Sequence, residues 1–552
     1  MQAPDSTRRR RLGVLTRGSL AGGIEAKLDA ERPIESVRAG TFCVVEGATL
    51  DFFALITDLE IDAANEGILL HPPGPDDDLL RRVLQSASAT YAKASLRPQL
   101  VLDRQRPDAD PQTVKTIPSH FSNVGEATEE DVARVFKSEA TDPSRYFEVG
   151  DPVGMEGVPV CLDLQRFVER SNAVFGKTGT GKSFLTRLLL AGAMKAGRGV
   201  ALVFDMHGEY GSGRRNEEGA FAPGLADVFG SQVQVFTLDP ATMRQRNQSF
   251  DAAIELYADQ IEPADILPLQ KTLDLNRTAA ESAELMRRTY KSRWLATLID
   301  ASGERLKEIA DEIGANENSL LALRRKLSRF TRHEFFHTDR MDGKEDRIEQ
   351  IFEALDKGKS VVLDFGRYRT REVYLLVANV LARRLRQIYE EKVNRYEASQ
   401  KAEDEPRQLL VVVEEAHHFL SPEVAGETPF GKIAREMRKF YVSLLIVDQR
   451  PSGIDEEVLS QIGTKFVAQL SDEKDIAAAL VGTPGASGLR QILASLDSKQ
   501  QVLLLGHAVP MPITLRTRTW DMDLAKTLRE GMPGGEVVGS AHEMQASLTE
   551  LF

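Results

Sequence analysis

The chain has 552 residues, 42% of them apolar and 28% charged, an ordinary globular balance that excludes collagen-like, disordered and disulfide-stapled classes. Lys and Arg total 70 against 83 Asp and Glu, a net charge of −13. A surface that coats nucleic acid as a whole is thereby excluded, and any such contact must use a local basic patch, such as the inside of a ring.

At roughly 100–200 residues per domain the length predicts three or four domains. Residues 1–11 form a basic tail in which Arg8, Arg9, Arg10 and Arg11 are read as solvated, with a nucleic-acid or partner contact as the alternative. No apolar stretch follows them, so they are not read as a secretory signal. Residues 12–165 are predicted as a small β-barrel and a connector. Short apolar bursts such as Phe42–Val45 and Phe52–Ile56 are separated by glycine and acidic turns. Cys43 and Cys161 are the only cysteines, too few for a disulfide framework or a four-thiolate zinc site, and they predict a reducing cytoplasm. No apolar run nears the roughly 18 residues of a membrane span.

From residue 166 the texture becomes α/β. Val174–Phe175, Val200–Phe204, Val233–Leu238, Val361–Phe365, Leu409–Val413 and Ser443–Val447 are compact apolar runs with amphipathic segments between most of them. They predict a parallel sheet in two parts, 166–249 and 346–520. Residues 250–345, rich in Leu, Ala, Glu, Arg and Lys, are predicted as an inserted helical bundle with caps such as Ser302 and Asn316. Residues 521–552 form a C-terminal extension.

Gly176-Lys177-Thr178-Gly179-Thr180-Gly181-Lys182-Ser183 follows an apolar strand and precedes an apolar helix that begins at Phe184. This is the pattern of a phosphate-binding loop. Glycines let consecutive backbone N–H groups face an anion at the positive end of a helix. Lys182 is placed for the β- and γ-phosphates of ATP and the Ser183 hydroxyl for Mg²⁺. Leu409–Val413 runs into Glu414 and Glu415, which puts an acid pair at the carboxyl edge of a strand, where open sheets bind ligands. Glu414 is predicted to serve the Mg²⁺ shell and Glu415 to act as general base toward water. Gln449, after the run ending at Asp448, is a sensor candidate for the γ-phosphate or the water. Asp205 and Glu209, after the run ending at Phe204, are candidates for supporting the metal or the water, with loop capping by Asp205 as the competing reading. His207, His417 and His418 do not have the spacing of a closed metal-ligand set.

Together, Gly176–Ser183, Asp205-Met206-His207-Gly208-Glu209-Tyr210, Glu414-Glu415-Ala416-His417 and Gln449-Arg450-Pro451-Ser452 resemble the HerA family of hexameric DNA-translocating ATPases within the HerA/FtsK group. The resemblance covers nearly the whole chain and is carried by the four motifs in this order. It implies a RecA-like core, an N-terminal barrel and a helical insertion. It also implies a homohexamer with ATP between neighbours and double-stranded DNA in the central channel. One protomer then lends an arginine to its neighbour's γ-phosphate, and Ile433–Tyr441 looks like the segment that carries it. Arg438 is the first candidate there, with Arg435 and Lys439 behind. The commoner family segment has Gly where Met437 stands.

The expected function is an ATP-hydrolysing DNA motor that feeds an effector. A non-translocating assembly scaffold is the alternative, and a secretion or conjugation coupling ATPase a third. No nuclease cluster is visible, so cleavage would belong to a partner. The resemblance suggests a NurA-like nuclease, a sirtuin-type enzyme or another defence effector, docked on the barrel. Two arginine-bearing loops after motor strands are candidates for the channel wall: Arg214 and Arg215, and Arg367, Arg369 and Arg371.

Overall fold

The computed structural model describes residues 9–530, apart from 71, 75–76, 80–82, 85–88, 107–108, 216–218, 220, 341–345, 427, 484–485, 495 and 498–499. Arg8 and most of the C-terminal extension, from 531 onward, lie outside the described residues.

Strands β1 (Arg11–Ser19), β2 (Gly23–Leu28), β3 (Phe42–Glu46), β4 (Leu50–Ala63), β5 (Thr90–Asp103), β6 (Gln112–Thr113) and β7 (Asn123–Glu126) make one antiparallel sheet. β2 pairs with β1 on one side and β5 on the other, so β1-β2-β5-β4-β3-β7 closes into a six-stranded barrel. Period-two alternation explains why this stretch chooses strands. Cys43, Val45, Phe52, Ala54 and Ile56 fill the barrel interior. Their neighbours Phe42, Val44, Phe53 and Leu55 face outward and join the core of the rest of the molecule beside Phe136 and Phe147. Arg9 is held where a solvated tail was the expectation. Its guanidinium meets Asp51 at 2.8 Å, Asp131 at 2.7 Å and Glu46 at 3.3 Å.

The second sheet has twelve strands. The remaining strands are β8 (Tyr146–Pro152), β9 (Val160–Asp163), β10 (Asn172–Phe175), β11 (Val200–Asp205), β12 (Arg214–Arg215), β13 (Phe221–Ala222), β14 (Val233–Thr237), β15 (Ala252–Ala253), β16 (Leu256–Tyr257), β17 (Phe336–His337), β18 (Ser360–Asp364), β19 (Leu409–Glu414), β20 (Val442–Asp448), β21 (Thr464–Ala468), β22 (Gln501–Gly506) and β23 (Ile513–Thr517). Their order in the large sheet is β15-β14-β18-β11-β19-β20-β10-β21-β22-β23-β8-β9. It is parallel from β15 to β21 and antiparallel beyond. β11, β19 and β20 are buried along their whole length, as strands covered by helices on both faces must be. Tyr146–Pro152 and Val160–Asp163, at the end of the stretch read as barrel and connector, join this sheet as its far edge.

Between β16 and β17 lie the helices Arg277–Tyr290, Trp294–Asp300, Gly303–Ile313 and Glu317–Leu327. Asn276, Ser302 and Asn316 cap three of them by accepting a backbone N–H. Trp294 anchors the group, fully buried, with its indole N–H donating to the Ile261 carbonyl at 2.8 Å.

Candidate nucleotide-binding site

All the parallel strands run the same way, so their carboxyl ends share one edge. β10 delivers the glycine loop to that edge, and the helix Lys182–Lys195 leaves it. Gly179 and Gly181 have φ of +82° and +86° with open space where a Cβ would stand. The left-handed backbone, not crowding, requires glycine there. At Gly176 crowding decides, because a Cβ would lie 2.8 Å from that of Ala468. The loop is tied down by Thr180 Oγ1 donating to the Lys177 carbonyl at 2.8 Å. Lys182 Nζ donates to the same carbonyl at 3.1 Å. Burial pulls the Lys182 ammonium below its ordinary range, against the opposing charges of Glu415, Asp448, Glu414 and Glu209. Ser183 and Phe184 follow on the first turn, both partly exposed.

β20 lies between the glycine-loop strand β10 and the acid strand β19. This order brings Gln449 between the loop and the acid pair. Thr178 Oγ1 donates to Gln449 Oε1 at 2.9 Å, and Gln449 Nε2 donates to Glu415 Oε2 at 3.4 Å. Glu415 turns the chain out of the strand at φ +47°, a left-handed conformation that is strained for this residue type. Behind it, Asp448 accepts from the backbone N–H groups of His417 and Arg450, at 2.8 and 2.7 Å. His417 Nδ1 lies 3.0 Å from Asp448 and 3.6 Å from Glu415. Burial pulls the imidazole down, but the Asp448 bond and charge outweigh it and leave His417 raised. Glu415, His417 and Asp448 thus bring ligand-type atoms together, a grouping that the sequence spacing hid. Asp448 is spent on backbone and imidazole, which makes the group a brace behind Glu415.

Glu414 is 5% exposed and Asp205 1%. Burial raises both carboxyls, Glu209 raises both further, and Asp205 raises Glu414. Glu414 Oε1 accepts from the Tyr210 hydroxyl at 3.1 Å, whereas Oε2 is buried without a hydrogen-bond partner. A buried, partnerless carboxylate oxygen is costly unless a cation uses it. Asp205 is differently committed: its two oxygens accept from the N–H groups of Glu209 and Tyr210, both at 2.8 Å. That is the loop-capping geometry, and Glu209 follows, partly exposed, on the capped loop.

The basic candidates divide between the two edges. Arg435 is consumed locally, donating to the Gly431 and Ala425 carbonyls and meeting Glu457. Arg438 and Lys439 are exposed, and Lys439 lies over the Phe440 ring. Among the described residues the Arg438 side chain makes no hydrogen bond or ion pair. It precedes β20, whereas the glycine loop follows β10, which is parallel to β20. The seven residues of β20 therefore separate Arg438 from its own phosphate loop, about 20 Å at 3.3 Å per residue.

Arg214 turns inward, with Nη1 donating to the His207 carbonyl at 2.9 Å, while Arg215 is exposed. Arg367 is half exposed and meets Glu334 at 2.9 Å. Arg369 donates to the Gly366 carbonyl at 2.9 Å and to the His207 carbonyl at 3.5 Å. Arg371 opens the helix Arg371–Ser399, close enough for its charge to lower His417 and His418. The structure thus brings all five to the same edge as the glycine loop. Tyr210 and Asp448 belong to this site without a role assigned from sequence. The signal for Tyr210 was its place at the end of the motif Asp205–Tyr210.

Residues 147–385 match the family model described as "Helicase HerA, central domain". The chain is similar to a "DNA double-strand break repair helicase HerA" of Saccharolobus solfataricus, 26% identical over 502 residues that cover 89% of each chain. It is likewise similar to the HerA of Pyrococcus furiosus, 25% identical over 71% of this chain and 73% of that one. Among solved structures it is similar to VirB4 of Thermoanaerobacter pseudethanolicus at 15% identity and a TM-score of 0.44, covering 68% of this chain and 96% of that one.

Proposed function

The chain is a P-loop ATPase of the HerA type, and from that premise we propose that it is an ATP-driven ring motor that moves along double-stranded DNA. The observation that carries this reading is the position of Arg438. It is exposed, unpaired among the described residues, and at the edge opposite its own phosphate loop. An arginine there has no role toward its own nucleotide. In a ring of identical subunits it reaches the neighbour's γ-phosphate, where such a residue stabilises transition-state charge.

Within one subunit, Lys182 and the loop amides hold the phosphates of ATP. Gln449 links Thr178 to Glu415 and so aligns the water, from which Glu415 takes a proton as ADP and phosphate form. Ser183 and Glu414 suit Mg²⁺, because Glu414 Oε2 is a buried acceptor with no other use. When bound, Mg²⁺ neutralises charge on the phosphates. Asp205 shapes the loop that carries Glu209 and Tyr210.

Arg215, Arg367, Arg369 and Arg371 give a local positive surface on a chain of net charge −13, which suits a channel contacting DNA phosphates. A nuclease or other effector docks on the barrel. In support, Ile61, Leu69, Leu70, Leu79 and Val83 on and after β4 are half or more exposed.

The test is DNA-stimulated ATP hydrolysis by the full chain, with native mass spectrometry for the ring. Changing Arg367, Arg369 and Arg371 together to Ala should remove the stimulation and flatten the salt dependence of DNA binding, with basal hydrolysis surviving. A fully active monomer, or stimulation that survives both this change and loss of Arg214 and Arg215, would overturn the reading.

A further inference from the structure

Tyr210 is fully buried between the acid strand and the arginine loops. Its hydroxyl donates to Glu414 Oε1 at 3.1 Å and its backbone N–H to Asp205 at 2.8 Å. The loop it closes presents the His207 carbonyl on the other side. Two arginines from two different loops converge on that single carbonyl: Arg214 at 2.9 Å and Arg369 at 3.5 Å. Arg369 also holds the Gly366 carbonyl, and the Gly366 N–H donates to Asp364 at 2.9 Å. Asp364 is the register partner of Asp205 on the adjacent strand. A path of hydrogen bonds joined by the loop backbone 207–210 therefore runs from the Glu414 carboxylate through Tyr210 to the His207 carbonyl and on to Arg214 and Arg369. The Tyr210 bond also fixes the carboxylate rotamer, leaving Oε2 as the oxygen free for a cation.

We propose that Tyr210 is a positioning residue that couples the acid site to the arginine loops, so that their grip on a nucleic-acid phosphate backbone depends on whether nucleotide is bound. The inference rests on the reading of Arg215, Arg367, Arg369 and Arg371 on those loops as DNA-facing. A ligand at Glu414 moves the oxygen to which Tyr210 is tethered, the loop follows, and the His207 carbonyl shifts beneath both guanidinium groups. Without the hydroxyl the two sites keep their contacts but lose the connection. Coupling of this kind is reciprocal: if nucleotide changes DNA affinity by some factor, DNA changes nucleotide affinity by the same factor.

The experiment measures that factor in the full chain with a labelled DNA duplex and Mg²⁺–ATPγS, by titrating each ligand with and without the other. The wild type should show a factor of about 5 or more in both directions. Tyr210→Phe should bring it to within about twofold of unity, while ATPγS affinity without DNA stays within about threefold. Tyr374→Phe is the control, because its hydroxyl donates to the Glu414 backbone carbonyl at 3.1 Å and not to the carboxylate. It should keep the wild-type factor. Full coupling in Tyr210→Phe, or equal loss in Tyr374→Phe, overturns the inference while leaving the motor reading intact. A wild type that binds no DNA overturns the motor reading and the inference with it. If Tyr210→Phe does not fold, Arg214→Met combined with Arg369→Met cuts both links at the His207 carbonyl. Retained coupling there is equally fatal.

Discussion

The barrel and the edge of the large sheet treat buried charge in opposite ways. In the barrel, Arg9 gathers Asp51, Asp131 and Glu46, and Arg32 meets Glu126. Asp131, although buried, ends below its ordinary range because the bonds from Arg9 and Thr128 outweigh the burial. At the sheet edge, β18, β11, β19 and β20 end in Asp364, Asp205, Glu414 and Asp448, each 5% exposed or less. Burial raises Asp364, Asp205 and Glu414, the charge of Asp205 raises the other two further, and Glu209 raises Asp205. Paired charge holds a shape. Carboxylates left mutually repelling cost stability and are retained where a cationic ligand completes them.

The contrast is broken most forcefully at the loop and its base. Lys182→Ala should lower ATP hydrolysis on the order of 10³-fold, and Glu415→Gln should keep ATP binding while turnover falls on the order of 10²–10⁴-fold. Equilibrium binding of a fluorescent ATP analogue and a phosphate-release assay separate the two. Full turnover in Glu415→Gln would move the general-base role to Glu209.

Next in size is the trans contribution. Arg438→Ala should cut hydrolysis on the order of 10³-fold with nucleotide affinity near wild type. Mixed rings of Arg438→Ala and Glu415→Gln subunits should regain activity, because some interfaces then combine an intact base with an intact arginine. No recovery in rings of verified mixed composition would place Arg438 outside the site.

The glycine loop and the strand-end acid pair were legible because each is contiguous in sequence and its chemistry demands particular residue types in fixed order. The runs Val200–Phe204, Leu409–Val413 and Ser443–Val447 were legible as strands because burial on both faces leaves them apolar but for Ser443, whose hydroxyl donates to the Val168 carbonyl. What could not be read depends on partners far along the chain. Arg9 looked like part of a solvated tail because Asp51 and Asp131 become its neighbours only when the barrel closes. β8 finds its sheet through Leu515–Thr517, a pairing that no local pattern signals. Tyr210 lacked a role because its acceptor, Glu414, lies 204 residues away.

The paired side of the contrast is tested by Arg9→Ala. It strands the buried Asp131, leaves Asp51 with Arg104 at 3.5 Å alone, and should destabilise the barrel by about 3 kcal/mol, read from chemical denaturation. The loss should shrink in acid. The depressed carboxyl of Asp131 contributes stability above its unfolded value and loses it as pH falls through its folded one. A pH-independent loss would mean that Arg9 acts through packing alone.

The unpaired side gives the smallest effect and the opposite sign. Burial, with Asp205 beside it, raises Asp364 from 3.8 to about 6. Between those values the folded chain holds a proton that the unfolded chain has released. Stability therefore falls as pH rises through that window, and the full penalty is present above it. The shift corresponds to at most about 3 kcal/mol. Asp364→Asn removes that penalty and keeps an oxygen to accept the Gly366 N–H, now bonded at 2.9 Å. The attraction of Arg214 and Arg246 is already counted in that net shift, so the gain at pH 7 should be about 1–3 kcal/mol. The difference in unfolding free energy between Asp364→Asn and wild type should be near zero at pH 4, grow through pH 5 and flatten above pH 6. A variant that is less stable at pH 7 would show that Asp364 is paired with Arg214 as tightly as Asp131 is with Arg9. The edge of the sheet would then follow the barrel's rule.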